Sequence, residues 1–125
     1  REELFAGLHE RLAASIDALL AEVPSDRAGM IEWYVRNPPM DDTESAIYAA
    51  FIASARADAS GDVGSVHLAE LFDRFFAPLR TLDDPAVSTH VQMVADGIFL
   101  RAILRLPLPD EAATVAMIER ISAEH

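Results

Sequence analysis

Apolar residues return at three- and four-residue steps along almost the whole of this chain, with clear breakers between the runs. That period marks one face of an α-helix, and no stretch alternates at period two with β-branched enrichment. The chain is therefore expected to be all-α, with about six helices in an orthogonal or bundle arrangement. At 125 residues it has the length of a single domain, 1–125, and too little for two independent cores.

The breakers divide the helices. Leu4, Leu8, Leu12, Ile16, Leu19, Leu20 and Val23 form one face of a first helix that Pro24 ends. Ser25 or Asp26 caps a short second helix with Met30, Ile31, Trp33, Tyr34 and Val35, stopped by Asn37-Pro38-Pro39. Asp41 and Glu44 have capping-box spacing and open a third helix through Ile47, Tyr48, Phe51, Ile52 and Ala55, broken at Ser60-Gly61-Asp62. A fourth carries Val66, Leu68, Leu71, Phe72, Phe75, Phe76 and Leu79, and Pro78 should kink or end it. Asp84-Pro85 is a cap followed by proline at the first helical position, opening a fifth helix to about Leu106. Pro107-Leu108-Pro109 separates it from a sixth, with Asp110 and Glu111 suited to the positive end of its dipole.

The last two helices carry an excess of apolar surface. On the fifth, Val91, Val94, Ala95, Ile98, Ala102 and Ile103 make one stripe, while Met93, Gly97, Leu100 and Leu104 lie on the roughly opposite side. A helix apolar all round must be covered all round. A second copy of the chain is the simplest cover, and Gly97, which costs about 1 kcal/mol of helix propensity relative to alanine, suits close helix contact. The sixth helix shows the same excess through Val115 and Ile118 among others. A four-helix homodimer interface of Met93, Gly97, Leu100, Arg101, Leu104, Val115 and Ile118 is expected, burying more than ~2,000 Å² in total. The plainer alternative puts both helices at the centre of one monomer. Arg101 and Arg105 either pair with acids across such a seam or reach into solvent.

Charge and composition exclude several classes. The net charge of −11, from 21 acids and 10 bases, repels phosphate backbones, so this segment by itself is not expected to bind nucleic acid. The longest apolar run, Val94 to Leu106, is cut by Asp96, Arg101 and Arg105, which leaves no membrane span of about 18 residues. No secretory leader pattern opens the chain, and there is no cysteine for disulfides, thiolate chemistry or cysteine-bound zinc. A soluble protein of the reducing cytoplasm fits these features.

Enzyme signatures are missing too. None of the five glycines forms a phosphate loop, and no Gly-x-Ser-x-Gly elbow occurs. The acid pairs Asp41-Asp42 and Asp83-Asp84 sit at helix starts, where capping explains them. A non-enzymatic role is expected. Aromatic residues on helices two to four suit a pocket for an amphipathic organic molecule, and Trp33, Tyr48, Phe51, His67, Leu71 and Phe75 are its candidate lining. The plainer reading is core packing, favoured for Phe72 and Phe76. His67 can present a ring nitrogen to a ligand or serve as a structural histidine. His67 and Glu70 stand three apart, but His9, His90 and His125 show no matching partner spacing, and the glutamate-before-histidine order of di-iron helices is reversed. No metal and no cofactor are expected.

Arg1-Glu2-Glu3-Leu4-Phe5 resembles the Ser-Lys-Glu-Glu-Leu-Phe step that follows the helix-turn-helix of tetracycline-repressor-type (TetR/AcrR) bacterial regulators. Ala95-Asp96-Gly97-Ile98-Phe99-Leu100, followed by Leu106-Pro107-Leu108-Pro109-Asp110, is similar to the dimerisation helix and proline turn near that family's end. The resemblance spans the chain. It implies the C-terminal effector-binding and homodimerising module of a transcriptional regulator, a repressor that takes a small, mostly apolar effector. Such regulators set two recognition helices on half-sites about 34 Å apart or a multiple, and the effector changes that spacing. The chain opens inside a helical pattern without an initiator methionine, so the DNA-binding segment is expected upstream of Arg1. The alternative is a small all-helical dimeric scaffold protein with no effector.

Overall fold

The computed structural model describes residues 2–36, 40–57 and 62–123. The breaks expected at Asn37-Pro38-Pro39 and Ser60-Gly61 lie outside the described residues, as does His125. Among the described residues the structure has six α-helices, one 3-10 helix and no strand: α1 Glu2–Leu20, α2 Arg27–Arg36, α3 Asp42–Ala57, α4 Asp62–Phe76, the 3-10 helix Ala77–Leu82, α5 Pro85–Ile103 and α6 Glu111–Ala123. The protein is all-α. No helix among these residues is long and apolar enough to cross a membrane.

At four of the six helices a local aspartate caps the N-terminus. Gly29 N donates to the Asp26 carboxylate at 2.9 Å, which makes Asp26 rather than Ser25 the cap of α2. At α3, Glu44 N donates to Asp41 Oδ1 at 2.7 Å while Asp41 N donates to Glu44 Oε1 at 3.3 Å, the reciprocal pair of a capping box. Val87 N donates to Asp84 Oδ1 at 3.2 Å with Pro85 in the first turn. Ala113 N donates to Asp110 Oδ1 at 2.8 Å. Pro78 ends α4 at Phe76, and the chain runs on in the tighter 3-10 form that keeps Leu79 buried.

The single domain expected from the sequence gathers into two compact units, each made of separated segments. The first unit comprises Arg1–Glu22 and Met40–Phe76, hence α1, α3 and α4. Its core includes Leu12, Ile16, Phe51 and Leu71, and α4 packs on both α1 and α3. Burying each such side chain contributes about 1.5–3 kcal/mol. Gly64 lets α4 close on α3, since a Cβ there would lie 2.2 Å from the Phe51 carbonyl oxygen and 2.5 Å from Ala55 N.

The second unit comprises Val23–Pro39 and Ala77–His125, hence α2, the 3-10 helix, α5 and α6. Its core includes Ile31, Tyr34, Val87, Val91, Ala95 and Ile98, with α2 packed on both α5 and α6. Burial pushes the Tyr34 phenol well above its ordinary range. Two polar ties fix α2. Arg27 Nη2 donates to Asp84 Oδ2 at 2.8 Å, so the α5 cap also anchors α2, and Arg36 Nε donates to Glu111 Oε1 at 2.9 Å while its Nη2 pairs with Glu32.

Candidate functional site

In the first unit the structure brings together part of the expected pocket lining. His67 on α4 is half-buried and stacks on the Phe51 ring of α3, with centroids 5.0 Å apart at 15°. Phe5 of α1 meets Phe51 edge-on at 5.2 Å. Leu71, one turn along from His67, has no exposed surface, nor has Phe51. Tyr48 is buried, and desolvation with the nearby Glu44 carboxylate raises its phenol to about 12. Phe75 is half-buried against the edge of Phe76 at 5.1 Å, and Phe72 meets Phe76 at 6.5 Å. Trp33 belongs to the second unit, where it stands edge-on to Tyr34 at 4.9 Å.

His9 is the residue that sequence spacing missed. Its Nδ1 lies 2.8 Å from His67 Nδ1 and its Nε2 lies 2.8 Å from Glu70 Oε2. The reading of His9 as a histidine without a matching partner is thus corrected: its partners stand on α4, 58 residues away in the case of His67, beyond any local period. Glu70 also accepts from Arg74 Nη2 at 2.9 Å, and Arg74 Nη1 donates to both Asp17 oxygens at 3.0 and 3.1 Å. Desolvation, then the neighbouring His9, lowers the His67 pKa, with Glu70 opposing. Among the described residues no group of three histidines, aspartates or glutamates is placed to hold a metal ion. His90 keeps to its own helix, 2.7 Å from the Ala86 carbonyl oxygen.

The second unit presents the expected outer stripe. Met93, Leu100 and Leu104 are 66%, 50% and 57% exposed, and a Cβ on the exposed Gly97 would meet nothing within 4 Å. Leu106, Leu108 and Met117 are exposed beside them in the chain. The opposite side of α5 is buried through Val87, Val91, Ala95 and Ile98. Ile118, expected in the same interface, is fully buried, because it lies on the face of α6 that turns into its own unit. Val115 is half-buried and lines an open recess of about 440 Å³ with Glu32, Glu111, Ala112, Ala116 and Glu119. Arg101 reaches solvent and donates to the Pro107 carbonyl at 2.9 Å, which ties it to the turn after α5. Asp96 flanks the stripe with a buried Oδ1 that accepts no hydrogen bond, and desolvation raises its pKa.

Comparison of the chain with protein-family models, curated proteins and solved structures gives no match.

Proposed function

We propose that this chain is the self-associating, effector-sensing module of a tetracycline-repressor-type transcriptional repressor, a homodimer of the cytoplasm that binds rather than transforms its ligand. The observation that supports it is the bare stripe on α5. Met93, Gly97, Leu100 and Leu104 stay exposed while the other side of the same helix is fully used. A contiguous apolar patch of this kind marks an interaction surface. The stripe is also self-complementary. An antiparallel second copy whose two-fold axis crosses midway between Gly97 and Leu100 sets each Leu100 over the opposing Gly97 notch and each Met93 against the opposing Leu104. A large side chain then meets an open glycine at both ends of one isologous contact.

In this reading the effector enters at the aromatic cluster of Phe5, Phe51 and His67, of which only the half-buried His67 reaches the surface, so binding requires the cluster to open. Operator DNA, in this reading, is left to a separate helix-turn-helix, since the net charge of −11 repels phosphate. Sedimentation equilibrium at micromolar concentration tests the association. The expected result is a dimer that Leu100→Glu converts to a monomer with unchanged helical circular dichroism; a monomeric wild-type chain sinks the proposal. A dimeric scaffold without effector is the second reading, favoured by the absence of any exposed surface on Phe51 and Leu71. A melting temperature that rises with added apolar ligand, as preferential binding to the folded state requires, separates the sensor from the scaffold.

A further inference from the structure

The Glu70–His9–His67 line in the first unit has a proton capacity set by its geometry. A carboxylate only accepts, so His9 Nε2 carries the hydrogen that meets Glu70 Oε2 at 2.8 Å. The two Nδ1 atoms, also 2.8 Å apart, then share a single hydrogen: one donates and the other accepts. With both rings neutral, His67 Nδ1–H donates to the bare His9 Nδ1. One additional proton is tolerated, because either ring can be the imidazolium and donate to a neutral neighbour. A second additional proton puts N–H on both facing nitrogens, and the contact becomes a repulsion between two cations. Both rings cannot be charged while they touch.

We propose that the His9–His67 contact is a proton-counting clasp between α1 and α4, closed when the pair holds no or one extra proton and open when it holds two, so that acid frees α1 from α4. Every helix packed around the pair bears on the count. From α4, Glu70 favours the first added proton, and Arg74 holds Glu70 in place. From α1, Asp17 is occupied by Arg74, and Phe5 meets the His67 ring edge-on at 6.3 Å. From α3, the group facing His67 is the uncharged Phe51 ring, while Glu44 accepts a hydrogen bond from Ser15 of α1.

The sign follows from the depressed basicity of His67. In the unfolded chain His67 takes up its proton from about pH 6.5 downward, ahead of the folded state. Stability is therefore complete above that value and is lost as pH falls through the lower folded pKa.

Imidazole 15N NMR on the whole chain between pH 8 and 4.5 tests the clasp. The pair is expected to titrate in two steps separated by more than about one pH unit, as coupled sites do. Contacts between α1 and α4 should survive the first step and disappear with the second. His67→Phe keeps a ring on Phe51 and removes the pair; in it the two-step signature should be lost, and the fall in melting temperature between pH 7 and 5 should shrink by at least about half. Both wild-type rings charging in one step near the ordinary value, or both charged with α1–α4 contacts intact, overturns the clasp. So does an unchanged acid-induced fall in a folded His67→Phe chain. Should that variant fail to fold, the wild-type titration decides by itself.

Discussion

Arg105 occupies backbone that glycine favours, with φ at 57°. The reason is the end of α5. Leu106 N donates to the Arg101 carbonyl at 2.8 Å and Arg105 N to the Ala102 carbonyl at 3.2 Å, the paired bonds of a Schellman cap that requires the left-handed region at this residue. An L side chain there costs about 1–2 kcal/mol. Arg105→Gly is therefore expected to stabilise the chain by about 1 kcal/mol in urea unfolding, and a loss of stability would refute the strain. Gly64 is the converse case. Alanine there gains about 1 kcal/mol of helix propensity, but its Cβ meets backbone atoms that cannot swing aside. Gly64→Ala should cost about 2 kcal/mol net, measured as a lower denaturant midpoint at unchanged slope.

At the scale of elements, local chemistry was readable and distant pairing was not. The caps at Asp41 and Asp84 lie within three residues of the groups they satisfy, so spacing exposes them, while Asp110, expected in the first turn of the sixth helix, is its cap. The outer stripe of α5 follows from helical period and is found where Met93, Gly97, Leu100 and Leu104 place it. Gly97, expected to suit close contact with a second copy, faces open space in the single chain, whereas a Cβ at Gly64 would strike the α3 backbone, a crowding that depends on which helix lies opposite. His9 shows the same limit more sharply. It meets Glu70 and His67 only after α1 docks on α4, and a period of 3.6 residues carries no trace of that event. Ends of helices were the least readable: α1 stops at Leu20, short of Pro24, and α5 at Ile103, where backbone capping rather than proline closes it. The aromatic set divides for a similar reason. Trp33 and Phe51 share a composition signal but belong to different units.

At the scale of the whole molecule, charge opposes the proposed pairing. Two copies at −11 each repel one another, while the apolar contact between them is insensitive to screening. Raising the salt from about 0.05 to 0.5 M shrinks the Debye length severalfold and should tighten the dimer, read as a lower dissociation constant. A dimer that weakens with salt would mean that ion pairs, not the α5 stripe, hold it.

The interleaved origin of the two units has a consequence for birth on the ribosome. Synthesis delivers α1 and then α2, yet α1 waits for α3 and α4, and α2 waits for α5 and α6. The second helix thus emerges with Met30, Ile31 and Tyr34 uncovered, and stays so through the translation of every residue that completes the first unit. Its greasy flank is the segment that a nascent-chain chaperone has longest to find.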